Sequence, residues 1–201
     1  MKVLAINASP RKGGNTDLIL REVLGPLEKG GWETEIIQIG GKPMRGCLGC
    51  RKCYENKDGK CIIKNDELNN ILPKLFEADA VILGTPTYYA DLTSEMKAFI
   101  DRAGYVAGAN GRLLQGKIGA GVMAVRRGGA IHALDSMNHF FMICGMIIPG
   151  ATYWNMVYGK DPGEAAGDDE GMRNMRNLGR AIDWLGKTTA PKLDSFPEFE
   201  L

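Results

Sequence analysis

Four of the five cysteines stand in one short stretch, Cys47-Leu48-Gly49-Cys50-Arg51-Lys52-Cys53 and then, after seven residues, Cys61. Two three-residue intervals let a tight loop aim three thiolates at a common centre, and a fourth can fold back onto it. An iron–sulfur cluster needs such an arrangement. Gly46 and Gly49 permit the wrap, and Arg45, Arg51, Lys52, Lys57 and Lys60 offset a cluster's negative charge. Three readings stay open: a cluster on Cys47, Cys50, Cys53 and Cys61, expected to be [4Fe–4S]; a structural zinc on the same thiolates; or redox thiols that form a disulfide. Zinc motifs more often present two separated Cys-x-x-Cys pairs. The segment also departs from the bacterial ferredoxin pattern, because no proline follows Cys61 and the last interval is longer. The fifth cysteine, Cys144, lies in an apolar run and reads as a small buried hydrophobe.

A second chemistry-bearing segment is Asn7-Ala8-Ser9-Pro10-Arg11-Lys12-Gly13-Gly14-Asn15-Thr16. It joins an apolar strand to a helix, where free N–H groups and the helix dipole attract an anion. Ser9, Asn15 and Thr16 add donors, Arg11 adds charge, and the glycines, Gly14 among them, let the backbone curl around a ligand. The loop lacks the Gly-Lys-Ser/Thr of a P-loop. It also lacks the Gly-x-Gly-x-x-Gly and second-strand acid of a dinucleotide site, since that strand ends in Gln38-Ile39-Gly40. A monophosphate ligand such as FMN fits better.

The elements that must position these segments alternate. Lys2–Asn7, Trp32–Ile39, Ala80–Gly84, Lys117–Val125 and Met146–Ala151 read as strands. Thr16–Lys29, a segment opening at Asn65-Asp66-Glu67, Thr93–Tyr105, Ala130–Cys144 and a Met172–Leu185 stripe read as helices. Such alternation implies a doubly wound five-stranded parallel α/β sheet of flavodoxin-like order 2-1-3-4-5. Its ligands bind beyond the carboxyl ends of the strands, on the rim formed by Ala8–Asn15, Thr85–Asp91 and Arg126–Gly129. The cysteine loop follows the second strand and is expected on the same rim. A single domain over 1–190 is expected, with a cysteine-rich insertion at about 40–64 and an arm or tail at 191–201.

The loop Ser9–Thr16 resembles that of the NAD(P)H-dependent FMN reductases, as do Thr85-Pro86-Thr87-Tyr88-Tyr89 and the following Lys97-Ala98-Phe99-Ile100-Asp101-Arg102. With the compact cysteine motif, the resemblance narrows to the iron–sulfur flavoproteins, over roughly residues 1–150. It implies that Pro86, Thr87, Tyr88 and Tyr89 lie along the isoalloxazine edge, where aromatics and backbone amides suit a flat apolar ring. It implies too that Arg126, Gly128 and Gly129 approach the pyrimidine side, where positive groups stabilise negative charge on reduced flavin. The paired Arg126 and Arg127 depart from the small or polar residues usual there, and could attract a nicotinamide cofactor's phosphates. Lys97, Asp101 and Arg102 read as intrahelical pairs rather than catalytic groups.

Lys plus Arg number 25 and Asp plus Glu 24, a net charge of +1, so neither nucleic acid nor an anionic membrane is an expected partner. No signal peptide or membrane-spanning run is evident, and a cytoplasmic location is expected. No acid/base pair or nucleophile triad stands out, and a flavin needs none. The expectation is an FMN-dependent oxidoreductase taking electrons from NAD(P)H or ferredoxin, with the cluster converting two-electron to one-electron transfer. Because the cluster needs a flavin within reach, in the same or a neighbouring subunit, a homodimer or homotetramer is expected. The alternatives are a non-catalytic carrier or sensor, or a plain FMN reductase. His132 and His139, two helical turns apart, are not expected to bind metal. Tyr153, Trp154 and Tyr158 read as an aromatic cluster, packed in the core, across a subunit interface or over a neighbouring subunit's flavin.

Overall fold

Five strands pair side by side, all parallel, in the order β2-β1-β3-β4-β5. The computed structural model describes residues 1–197. The elements run β1 (Lys2–Asn7), α1 (Asn15–Lys29), β2 (Glu33–Gln38), α2 (Lys52–Asn56), α3 (Leu68–Glu77), β3 (Ala80–Pro86), α4 (Ser94–Ala109), β4 (Ile118–Val125), α5 (Ala130–Ile143), β5 (Met156–Tyr158) and α6 (Asp169–Thr189). This is the doubly wound order expected, and the reversal between β1 and β3 sets where a ligand crevice opens.

Alternate residues of each strand feed two cores. Leu4 and Ile6 of β1 and Val81 and Leu83 of β3 face α3, α4 and α5, packing against Leu72, Phe99 and Phe141. Val3 and Ala5, with Ala80 and Ile82, face α1 and α6 and meet Ile19, Val23, Leu178 and Ile182. Both sheet faces are covered, so the central strands read as unbroken apolar runs. Helices α1 and α6 approach so closely that a Cβ on Gly179 would overlap the Val23 carbonyl.

One expectation is corrected. Met146–Ala151 is not a strand: only Ile147 bridges to Ile118. The edge resumes at Met156, opposite Met123. Four more residues separate the two pairings on the edge chain than on β4, and this surplus loops out around Pro149-Gly150, where proline cannot donate to the ladder. The start of the tail is placed against the body of the fold. Ala190–Ser195 form a 3-10 turn, and the Gln115 amide donates to the Pro197 carbonyl at 2.9 Å. The remainder of that tail lies outside the described residues.

Candidate functional site

The rim at the strand ends is built mainly from backbone. Gly14 precedes α1 in extended conformation and no side chain caps the helix, so its first N–H groups point outward unclaimed by a cap. Among the described residues the buried Thr16 hydroxyl there finds no hydrogen-bond partner, nor do the side-chain amide nitrogen of Asn7 at the end of β1 and the Thr87 hydroxyl after β3. Ser9 is buried; its amide donates to Asn7 Oδ1 at 2.9 Å and its hydroxyl accepts from the Arg11 amide at 3.2 Å. Gln38 Nε2 donates to the Ser9 carbonyl at 3.0 Å, and a Cβ on Gly40 would overlap the Ser9 backbone. The end of β2 that carries no ribose-binding acid therefore serves as a buttress for the first loop.

Asn15 and Arg11 are more committed than their sequence position suggests. Asn15 Nδ2 donates to the Asp161 carbonyl at 3.0 Å, and its Oδ1 accepts from the Gly163 and Ala165 amides at 2.9 and 3.3 Å. Arg11 Nη1 donates to the Lys160 carbonyl at 3.2 Å. The segment after β5 thus joins the rim, a role sequence reasoning missed because these contacts span about 150 residues.

The second loop is a tight hairpin. Tyr88 and Asp91 exchange both backbone hydrogen bonds, at 3.0 and 2.9 Å, while Tyr89 and Ala90 take left-handed φ values of 49° and 63°. Two such residues in succession are the signature of a two-residue hairpin turn. Tyr88 is half-exposed and Tyr89 stands fully in solvent at the tip. Gly129, with φ of 86°, closes on this hairpin: a Cβ there would sit 2.7 Å from Ala90 Cα. Arg126, Arg127 and Gly128 are exposed beside it. The structure therefore brings all three expected loops to one rim. His132 Nε2 lies 3.3 Å from Asp91 Oδ2. The Leu92 amide, ahead of Ser136 and His132, holds the Asp91 carboxyl below its usual range.

The cysteine segment leaves this rim. It starts there, with the Gly41 amide donating to Glu95 at the start of α4. It then descends the outer side of α4: Arg45 meets Arg102, Tyr54 stacks edge-on to Tyr105 at 6.2 Å, and the Gly59 amide donates to Asn110. From Thr93 to Arg102 the helix rises about 14 Å at 1.5 Å per residue, so the cysteines sit well below the strand ends. The expectation of a shared rim fails because the segment packs on a helix flank rather than over the strand carboxyl ends.

Cys47, Cys50, Cys53 and Cys61 line one small cavity with Arg102 and Tyr105. Cys47 and Cys50 are exposed and Cys53 and Cys61 half-buried. Burial pushes the Cys53 thiol up. Among the described residues, no three His, Cys, Asp or Glu side chains converge as ligands of a single ion. Arg102 is not the intrahelical partner expected. Lys97 and Asp101 do pair, at 2.6 Å, but Arg102 is buried and forks onto Asp66, with Nη2 at 3.2 Å from Oδ1. Burial alone would raise the Asp66 carboxyl, but Arg102 and the Arg45 and Leu68 amides more than offset it and hold it below its usual range.

Beside the cysteine cavity lies a groove of about 840 Å³ between α4 and α5, lined by buried Ile100 and Phe140 and by exposed Ile143. Cys144 lines it, half-buried, its thiol pushed up to about 11 by burial. Tyr153, Trp154 and Tyr158 are exposed, against the core expectation. Buried Asn174 fixes their loop, accepting from Thr152 and the Tyr153 amide at 2.9 Å each.

Comparison with known proteins agrees with this geometry. Residues 1–161 match the family described as NADPH-dependent FMN reductase. The chain is 38% identical over 189 residues to an iron–sulfur flavoprotein of Methanocaldococcus jannaschii, a match covering 90% of this chain and 95% of that one. Among solved structures, RosB with bound 8-demethyl-8-formylriboflavin-5'-phosphate has a TM-score of 0.77 at 19% identity, covering 96% of this chain and 81% of that one. A flavodoxin from the domain Archaea has a TM-score of 0.60 at 20% identity, covering 93% and 99%. These structures share the fold.

Proposed function

The chain belongs to the NADPH-dependent FMN reductase family, and we propose that it carries electrons from NAD(P)H or ferredoxin through FMN on the strand-end rim to an iron–sulfur cluster, expected to be [4Fe–4S], on Cys47, Cys50, Cys53 and Cys61. The observation that carries the FMN placement is the uncapped start of α1 with the buried, unpartnered Thr16 hydroxyl. A phosphate there satisfies the helix N–H groups and gives that hydroxyl an acceptor. When bound, FMN supplies the hydride and electron chemistry.

In this reading Ser9, Gly14 and Thr16 hold the phosphate. Arg11 and Asn15 act mainly by tying the cradle to the segment after β5. Pro86, Thr87 and Tyr88 flank the ring, with the Thr87 hydroxyl available to its polar edge. Tyr89, at the exposed tip, closes over the ring or meets an incoming donor. Gly128 and Gly129 let the third loop approach, while Arg126 and Arg127 attract the phosphates of a nicotinamide cofactor. The cluster assignment is supported by the single cavity that the four cysteines line and by the iron–sulfur flavoprotein relative. The separation between rim and cysteines favours a homo-oligomer in which a neighbouring copy's rim faces them. Among the described residues no helix is long and apolar enough to cross a membrane.

The test is an absorption spectrum of anaerobically purified protein, with FMN, iron, sulfide and zinc assayed on the same sample, followed by steady-state NADH and NADPH oxidation. Flavin bands with about four irons per chain support the full reading. Flavin without iron leaves an FMN reductase, and the zinc value then separates structural from redox thiols. Iron and flavin without turnover of either nucleotide, but with reduction by a ferredoxin, assign a carrier.

A further inference from the structure

Arg102 is buried to 1% exposure, and its carboxylate partner Asp66 has a side chain 2% exposed. Every partner of this guanidinium lies on the cysteine segment or its flanks. Nη1 donates to the Arg45 carbonyl at 3.0 Å, reaches Met44 Sδ at 3.7 Å and pairs with Asp66 Oδ2. Nη2 donates to Asp66 Oδ1 at 3.2 Å and to the Ile63 carbonyl at 3.4 Å, and Nε donates to Cys61 Sγ at 3.4 Å. One planar group on α4 therefore ties the chain entering the loop, at 44–45, to the chain leaving it, at 61–66. A lysine could not reproduce this, because it has no rigid fork and no Nε–H directed sideways at a sulfur.

We propose that Arg102 is the positioning residue of the cysteine pocket: it closes the base of the loop and holds the Cys61 sulfur by an N–H···S hydrogen bond, which raises the reduction potential of a cluster bound there. This rests on the cluster reading above. The ion pair with Asp66 is neutral as a unit, so its charge acts weakly at a distance. The group acting on the sulfur is the directed Nε–H, which stabilises electron density on Cys61 when the cluster gains an electron. The carbonyls of Arg45 and Ile63 and the Asp66 carboxylate fix the guanidinium plane, so that this N–H cannot turn away. Cys47 and Cys50, on the exposed side of the cavity, have no comparable side-chain donor among the described residues, which makes Cys61 the anchored ligand.

Two variants test this in the full chain. Arg102→Lys removes the fork and the Nε–H while keeping a cation. The double variant Arg102→Met with Asp66→Leu removes both buried charges together, and so avoids stranding the carboxylate. Each is purified anaerobically beside the wild type, and FMN, iron and sulfide are counted. The cluster potential is read by redox titration followed by electron paramagnetic resonance. The proposal expects unchanged FMN content in both variants, a lower cluster potential and several-fold poorer iron retention after gel filtration. A folded variant with wild-type potential and iron content overturns it. If the wild type itself holds no iron, the cluster reading fails, and the clamp is then judged on the apoprotein by iodoacetamide labelling and mass spectrometry. Cys61 should be labelled several-fold faster in Arg102→Lys, with Cys50 unchanged; an unchanged Cys61 rate overturns the clamp.

Discussion

The strand-end rim and the cysteine pocket are held by opposite means. The rim takes its shape from backbone: strand ends, an uncapped helix start, a two-residue hairpin and glycines pressed against neighbouring main chain. The pocket is hung on a helix flank by side chains, chief among them the Arg102 guanidinium, which finds six acceptor atoms on the segment and its flank. A site shaped by backbone keeps its form when a side chain is trimmed but not when a Cβ is added. A site made by one buried ion pair tolerates added bulk at its exposed cysteines but not the loss of a single partner.

The sharpest break in that contrast is Arg102→Met alone. It leaves Asp66 buried and unpaired, and should destabilise the protein by about 3–5 kcal/mol in urea unfolding. FMN affinity of the folded fraction should hold at the wild-type value, because the rim is untouched. A loss of FMN binding there would show that the two regions are mechanically one.

Gly40→Ala attacks the other side. The new methyl must push the Ser9 backbone aside, at about 1–3 kcal/mol. FMN affinity, measured by flavin fluorescence quenching, should fall at least tenfold while cysteine labelling stays as in the wild type.

Thr16→Val sharpens the comparison further, because its two effects have opposite signs. Removing a buried hydroxyl without a partner should stabilise the apoprotein by about 1 kcal/mol, whereas the bound phosphate loses a donor and FMN affinity falls by about tenfold. Thermal melts with and without FMN separate the two. Equal destabilisation in both states would remove Thr16 from the phosphate site.

The smallest effect is a pH response confined to the pocket. Asp66 is held below its usual range, so its stabilising contribution is complete above the unfolded carboxyl value of about 3.9. That contribution is lost as pH falls further, through the lower folded value. Hydrogen exchange across residues 44–66 should quicken below about pH 4 before exchange in β1 and β3 does. Simultaneous loosening would contradict the separation.

Much of the fold was legible because its signals are local. Val3–Ile6, Ala80–Gly84 and Ile118–Val125 are unbroken apolar runs, as doubly covered strands must be, and the helices carry their stripes. The three rim loops were legible from glycines and polar residues at strand ends. The fifth strand was misplaced because Met146–Ala151 has the composition of an edge strand, and nothing local reveals that the chain loops out at Pro149 before pairing again. Arg102 was missed for a related reason. Lys97 and Asp101 satisfy the helical spacing rule and do pair, and a neighbouring arginine looks like more of the same. Its partner Asp66 lies 36 residues back, and only the descent of the cysteine segment along α4 brings them together. A buried Asp just before α3 and a cation in the middle of an apolar helix face were the available signals. Asn15 is the same lesson on the rim, its amide claimed by a segment that sequence spacing could not connect to it.

That attachment of Asn15 has a consequence for biosynthesis. Asp161, whose carbonyl receives the Asn15 amide, follows it by 146 residues in the chain. At ribosomal rates of roughly 5–20 residues per second, the first loop waits on the order of 7–30 s after synthesis for the residues that brace it. The part of the molecule made first is among the last to be finished. Nascent chains stalled before Asp161 should therefore emerge colourless, and flavin loading should begin only as the C-terminal quarter leaves the ribosome.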